Sequence, residues 1–502
     1  MPLRAQLRGR SAATTAAALL RELPHGHELH RRRVPLRSAA RAQLRERRLR
    51  RRVWILRGGT TCVAGTCRCE ANCAGRSCGD DGCGGSCGSC PGSLSCIGGA
   101  CGCEAGTTAC AGVCCAAGLA CVSGRCCAPS WRRTFSGVFA EGLSRASDGT
   151  LWIAGRVGAP ASFVTGDRAW ISSLDACGTL TSQTSWLPSS MPRATATHIA
   201  TRTTARVPSS PLAIVGFGGA DGNLDGLVST LMTSPVRVTR DITLPASGSD
   251  DLYWQSTQSP DGLLWSAGQT NSQVGTCASV SLASPSTGTV CTWNIFSSCI
   301  GGGTFGTSIG HDGGVWFTGA HGNSAFVARY PSFGCAATPG CTCAPTLVRE
   351  FGAPGTVSTT GRSVVAGSAR TLVAGYAFLN GTDAAAVVMG VTADGTVSFG
   401  SPWNPTTIGD AFLGAAFVDG PSPTLYAVGL RGWDGLGNTA FAQGVLAAYD
   451  ANTLTQRWVV SVPNAGGCWG VVGDDAGGVI VACGGSTSST VRRCTSAGVC
   501  PP

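Results

Sequence analysis

An eight-residue phrase, DGTLWIAG at 148–155, returns six more times along this chain and limits its fold more than any other feature. The echoes are PLAIVG ending at Gly216, DGLLWSAG at Gly268, GGVWFTG at Gly319, RTLVAG at Gly375, PTLYAVG at Gly429 and GGVIVACG at Gly484. Successive closing glycines lie 61, 52, 51, 56, 54 and 55 residues apart. Self-similarity at a fixed period marks a repeat architecture, and periods of roughly 40–50 residues belong to propeller blades.

Each repeat has one grammar. A strand leads into a turn carrying Asp, Gly or Pro, as at Asp148-Gly149, Asp261-Gly262, Asp312-Gly313 and Asp419-Gly420. The LWIAG-type strand follows, apolar at consecutive positions and so suited to burial on both faces. A loop of variable length comes next, then a third strand (AWISSLD from Ala169, AFVARY from Ala325, GVLAAYD from Gly444). A fourth completes the unit (TVCTWNIF from Thr289, TLTQRWVV from Thr453). Four short strands per repeat, without helical periodicity, predict an all-β chain whose unit is a propeller blade. A row of separate sandwich domains would use similar strands, but one blade cannot bury two apolar faces alone, and the even period favours one closed ring. The seventh repeat supplies three strands, CWGVVGD from Cys468, VIVACG from Val479 and TVRRCTS from Thr490. SWRRTFSG at 130–137 is a strand without a repeat, and its Trp and Arg resemble QRWVV. The expectation is a seven-bladed β-propeller over 128–502, closed by that strand as the fourth of the last blade, which removes the exposed edges.

Seventeen of the 28 cysteines lie between Cys62 and Cys127. CVAGTCRC at 62–69, CIGGACGC at 96–103 and CVSGRCC at 121–127 each read C-x4-C with another Cys within two residues. The segment holds almost nothing apolar to pack, and modules this small need covalent staples. Tetrahedral zinc would call for CxxC-type pairs and His, and 58–127 contains no His. Residues 58–127 are therefore expected to be a disulfide module. CGDDGCGGSCGSC at 78–90, followed by C-x4-C-x-C, resembles the Cys-rich modules of secreted myxobacterial proteins. CCAAGLACVSGRCC at 114–127 resembles a granulin-like half-repeat. The glycine-spaced blades are similar in pattern to bacterial propeller repeats of the delta-60 and seven-bladed SBBP kind, which implies a surface protein. Both resemblances imply export.

Eleven cysteines fall in the repeat region, and four pairs straddle expected turns: Cys277 with Cys291, Cys335 with Cys341, Cys468 with Cys483, and Cys494 with Cys500. Positions 468 and 483 are equidistant from a turn centred between Asp475 and Ala476, which places them face to face in an antiparallel hairpin. The odd count in the module leaves one thiol to pair with Cys177, Cys299 or Cys343.

The net charge of +10 comes from one end. Residues 1–57 carry 16 Arg and 3 Glu, whereas the other 445 carry 21 Arg against 24 acids, and the chain has no Lys. The body is mildly acidic, so a nucleic-acid partner is not expected. Residues 1–57 read as a disordered basic tail or a mis-assigned N-terminus: SAATTAAALL at 11–20 is too weakly apolar for a signal peptide, and lysine-free Arg/Ala sequence is what a GC-rich gene yields upstream of its true start. No run approaches the ~18 apolar residues of a membrane span.

Motifs that formally suggest chemistry fit structural roles better. GTSIG at 306–310 matches G-x-S-x-G with Ser308 as nucleophile and His311 nearby, but it lies in the first strand of a blade, not at a strand–turn–helix elbow. DGNLDG at 221–226 begins like a calcium loop, yet its twelfth position is Met232 rather than Glu. His198, His311 and His321 form no metal-binding spacing. Trp254, Trp293, Trp403, Trp433 and Trp469 are candidates for sugar-binding grooves, although tryptophan in blades also packs between sheets. The functional expectation is a secreted or cell-surface display protein that binds a carbohydrate or protein ligand without catalysis, cofactor or metal. A propeller polysaccharide lyase or glycoside hydrolase and a structural matrix protein are the alternatives.

Overall fold

The computed structural model describes residues 60–502 apart from 64–65, 159–166, 202–211, 221–222, 234, 245–250, 273–274, 332–334, 336–342, 406–408, 433–442 and 486, and only the backbone of 60–67, 223, 244 and 272. The basic segment 1–57, DG of the DGNLDG motif, Trp433 and Cys341 lie outside the described residues. All regular structure among the described residues is β-strand or short turn.

Seven four-stranded antiparallel sheets follow one another. Blade one runs outward from the axis as Val138–Arg145, Leu151–Val157, Arg168–Leu174 and Leu180–Trp186. The inner strands of blades two to six are Ala194–Ala200, Asp251–Gln258, Gly302–Ile309, Ser358–Ala366 and Asp410–Val418. Blade seven consists of Cys468–Gly473, Val479–Gly484 and Ser488–Cys494, and its fourth strand is Trp131–Ser136, in register with Thr134 opposite Thr490. The ring closes as the sequence implied, with strands from both ends of the chain.

Seven apolar cores lie between consecutive blades. Trp152, Ile171 and Ile214 fill the seam between blades one and two, and Phe135, Ile153, Trp170 and Ile480 fill the seam between seven and one. Along the second strand of blade five, Val373 packs toward blade four while Leu372 and Ala374 pack toward blade six. This two-sided burial is why the strands read as continuous apolar runs. Each buried Leu, Ile or Phe contributes ~1.5–3 kcal/mol.

The recurring glycine has a geometric cause. Every inner strand carries a β-bulge, and in six blades the residue just before the bulge faces the repeat glycine: Ala140 with Gly155, Ala196 with Gly216, Tyr253 with Gly268, Thr304 with Gly319, Gly361 with Gly375 and Phe412 with Gly429. The bulge draws the inner-strand backbone against the second strand. A Cβ at Gly429 would stand 1.8 Å from the carbonyl oxygen of Ala411, and at Gly375 2.0 Å from that of Thr360. In blade seven Cys483 holds this place opposite Cys468, so Gly484 is one residue out of register with the other six. Cys483 is bonded to Cys468 itself.

The described residues divide into two compact units, one ending at Asn72 and including 80–85, the other of 73–79 and 86–502. In the first, Thr60–Val63 pairs with Thr66–Cys69, and Cys69 is bonded to Cys83. In the second, three small hairpins precede the propeller: Ser95–Ile97 with Ala100–Gly102, Thr108–Cys110 with Val113–Cys115, and Ala120–Val122 with Arg125–Cys127. Strands of three residues bury almost nothing, and disulfides take over. Cys90–Cys101, Cys103–Cys114, Cys110–Cys121 and Cys115–Cys126 each span 11 residues, so the last three staple successive hairpins together. The odd thiol of the module is Cys127, bonded to Cys177 in the turn between the third and fourth strands of blade one. There Val122 and Cys127 pack on Ala176, and Arg125 pairs with Asp175 at 3.0 Å. Ser123 also accepts from Arg145 at 2.7 Å and donates to Asp475 at 3.2 Å. Arg145 of blade one pairs with Asp475 of blade seven at 2.6 Å.

Two expected pairings are corrected. Cys277 is bonded to Cys299, not Cys291. The third strand of blade three returns through a turn that sets Leu282 opposite Cys291, and the chain must run on past Asn294 before it comes level with Cys277. Cys291 is disulfide-bonded as well. Cys335 is bonded to Cys343, not Cys341. Both stand between the third and fourth strands of blade four, and Cys343 is held by the core between blades three and four. Cys494 is bonded to Cys500.

Replacing Gly429 by Ala is expected to destabilise the protein by about 1–3 kcal/mol through overpacking against the Ala411 carbonyl. Gly381→Ala, where a Cβ would meet nothing within 4 Å, should change stability by less than about 0.5 kcal/mol. Urea unfolding of the two oxidised variants beside the parent protein checks the contrast.

Candidate functional site

A bulge leaves one residue unpaired and re-aims its side chain. The seven bulge residues are Glu141, Thr197, Trp254, Phe305, Arg362, Leu413 and Trp469. All seven line one cavity of about 350 Å³ in the central channel. Equivalent backbone positions thus present seven positions of differing chemistry to a common space.

Two aromatic arcs form its wall. On one side Phe217 meets Trp254 edge-on at 5.4 Å, and Trp254 lies 6.3 Å from Phe305. The Arg362 guanidinium ends this arc, 4.4 Å from the centroid of Phe305 and 5.8 Å from that of Trp254. On the other side Trp469 meets Phe139 at 6.0 Å, and Arg156 stacks over Phe139 at 4.7 Å.

The two guanidiniums differ in their partners. Arg156 pairs with Glu141 at 2.7 Å, and their side chains are 4% and 13% exposed. Burial pushes the Glu141 carboxyl above its ordinary range, with Arg156 acting in the opposite sense. Arg362 has no carboxylate and no hydrogen bond among the described residues, and its Nε is enclosed. Burial lowers its pKa, opposed by Tyr376. The indole N–H groups of Trp254 and Trp469 are also enclosed without a hydrogen-bond partner among the described residues. The cavity therefore carries unused donors, while its carboxylate at Glu141 is occupied.

His198 also lines the cavity, but its ring is committed. The Ser256 backbone N–H donates to Nδ1 at 3.4 Å, which leaves the proton on Nε2, 3.3 Å from Ser144 Oγ. Ser144 passes the chain on to the Ile199 carbonyl. Burial pushes the imidazole down to about 4, so it is neutral at physiological pH.

Of the tryptophans singled out in the sequence, Trp254 and Trp469 reach the cavity. Trp293 packs instead against Trp265 and Tyr330, and Trp403 lies on Phe412. Ser308 sits within an inner strand opposite Trp316, with no elbow around it. His321 stacks on Phe296 and pairs with Glu350. Residues 223–226 of the calcium-like motif are part of the strand Asn223–Thr233. Glu141, Arg156 and Arg362 carried no motif. The signal that locates the bulge residues is distance: five of them stand 13 to 16 residues before the repeat glycine, and Trp469 stands 14 before Cys483. Thr197 stands 19 before Gly216.

No protein-family model matches the chain, and no curated protein matches it in sequence. Among solved structures it is similar to virginiamycin B lyase from Staphylococcus aureus, at 12% identity over 73% of this chain and 99% of that one, with a TM-score of 0.45. It is also similar to the β-propeller domain of Cps50 (Swd1) from Myceliophteria thermophila, at 8% identity over 72% and 98%, with a TM-score of 0.44. Identities this low leave the chemistry unspecified. Among the described residues no helix is long and apolar enough to cross a membrane.

The neutral state of His198 makes the fold sensitive to acid. Its folded pKa of about 4 lies below the ordinary 6.5, so the unfolded chain binds the proton more readily. Its contribution is complete above pH 6.5 and is lost as the pH falls toward 4, up to about 3 kcal/mol. Glu141, raised by burial, acts with the opposite sign over the lower part of that range. Unfolding free energies measured from pH 7 to pH 4 should fall more steeply for the parent protein than for His198→Gln, which isolates the histidine.

Proposed function

We propose that this is an exported bacterial binding protein whose propeller holds a carbohydrate in the central cavity. The supporting observation is the wall of Phe217, Trp254, Phe305, Phe139 and Trp469 together with unbonded donors on Trp254, Trp469 and Arg362. Aromatic faces pack against the C–H faces of sugar rings while N–H groups take ring hydroxyls, the usual division between apolar wall and placed polar groups in a ligand pocket. We take 58–127 as the disulfide module and 128–502 as the propeller, and read the module as the secreted myxobacterial type and the blades as the delta-60/SBBP kind. The density of disulfides supports an oxidising compartment, and with it a secreted or cell-surface location.

Catalysis finds less support in the same residues. Glycoside hydrolysis uses two carboxylates roughly 5–10 Å apart, and among the described residues the cavity lining contains one, held by Arg156. A lyase base would need a free ring nitrogen or carboxylate, and His198 has both nitrogens engaged. A purely structural matrix protein would have no use for unbonded donors inside its channel.

Titration of the full-length oxidised protein with a panel of neutral and acidic oligosaccharides, followed by tryptophan fluorescence, tests this reading. At least one glycan class should produce a saturable change, and Trp254→Ala should weaken that binding about tenfold, the loss of one stacking contact. No reducing ends should be released during prolonged incubation. A flat response to every glycan, or binding untouched by Trp254→Ala, would overturn it.

A further inference from the structure

The two arginines of the cavity form an internal control. Both have their guanidinium groups against aromatic rings, Arg156 over Phe139 and Arg362 over Phe305 and Trp254. Arg156 is neutralised by Glu141 at 2.7 Å, whereas the Arg362 side chain meets no carboxylate among the described residues, and its Nε is enclosed. A desolvated donor left unbonded is costly, and a buried charge left unpaired more so. Its position on a bulge that opens into a ligand-sized cavity means that an incoming group can satisfy it.

We infer that the ligand presents one carboxylate to Arg362, as a uronic acid residue does within a carbohydrate. This rests on the cavity being the carbohydrate site proposed above and adds the charge class of its occupant. Charge counting sets the valence. Among the described lining residues, two guanidiniums, one carboxylate and a neutral His198 leave a surplus of one positive charge. A monoanion balances that surplus, while a phosphate monoester carries close to two negative charges at neutral pH. The planar fork of a guanidinium matches a carboxylate in a bidentate pair. The rings beside it would receive the body that bears the carboxylate: Phe305 and Trp254 flank the guanidinium, and the Trp254 N–H remains for a ring hydroxyl.

The test compares the full-length protein with Arg362→Gln and Arg362→Lys, using a glucuronic-acid disaccharide, a neutral glucose disaccharide, glucose 6-sulfate and benzoate as probes. The glucuronic-acid disaccharide should bind at least about tenfold tighter than the neutral one. Arg362→Gln should abolish that preference, and Arg362→Lys, which keeps the charge without the fork, should restore part of it. Thermal unfolding of Arg362→Gln should lie at or above that of the parent, because removing an unpaired buried charge relieves a cost of folding, and Arg362→Lys, which keeps that charge, should stay close to the parent. Equal binding of acidic and neutral disaccharides, or a preference that persists in Arg362→Gln, would overturn the inference. If Trp254→Ala still weakened that binding, the cavity would stand as the carbohydrate site. Tighter binding of glucose 6-sulfate than of the glucuronic-acid disaccharide would overturn the carboxylate assignment. Binding of benzoate alone would overturn the sugar acid, and the carbohydrate reading with it.

Discussion

The contact between the second strand of each blade and the bulge behind it is the constraint on which the rest depends. In six blades only an unsubstituted Cα fits opposite the residue that precedes the bulge, where the facing carbonyl stands 1.8 to 2.6 Å from a Cβ built on the repeat glycine, and in the seventh Cys483 takes that place, bonded to Cys468. The bulge in turn places one side chain per blade in the channel. The repeat that makes the chain recognisable as a propeller is therefore the imprint of the geometry that builds the cavity. Scaffold and site are specified by the same backbone feature, although by different residues.

That division explains what could be read without coordinates. The ring of seven, the four strands per blade and the closing strand at 131–136 were legible because they rest on spacing and on runs of apolar residues such as Leu372–Val373–Ala374, buried toward two neighbours at once. The site was legible only at Trp254 and Trp469, because its residues share a position and not a type: an acid, a threonine, three aromatics, an arginine and a leucine occupy equivalent places. No motif can announce such a set. Trp254 and Trp403 look alike in sequence, yet one stands on a bulge and the other packs on Phe412. The status of Arg362 depends on which side chains are absent around it, a property that exists only in three dimensions. The Cys277 pairing failed for a related reason, since adjacency in sequence was weighed where strand register decides.

A ring of equivalent but independent positions also separates stability from recognition. The apolar seams lie between blades, whereas the bulge residues face the axis. A change at Leu413 alters the cavity wall without entering the cluster formed by Leu372, Leu425 and Val445 or that formed by Trp152, Ile171 and Ile214; Thr197 is the exception, since its hydroxyl donates to the carbonyls of Val215 and Tyr253 and so ties blade two to blade three. Charged pairs follow the same partition. The Arg145–Asp475 pair, joined by Ser123, stands at the seam of blades one and seven, and the Arg156–Glu141 pair belongs to the channel.

The bond between Cys127 and Cys177 bears on the order of events during synthesis. Trp131 finds its partner at Arg493, 362 residues further on (493 − 131). A strand left unpaired for that long is a template for association with other chains, and distant pairing is slow. Cys127 precedes the strand by four residues (131 − 127), and Cys177 is available as soon as the first blade has emerged. Oxidation at that moment parks the closing strand beside blade one, the immediate neighbour of the gap it will fill. The last blade then docks against a strand already tethered to blade one.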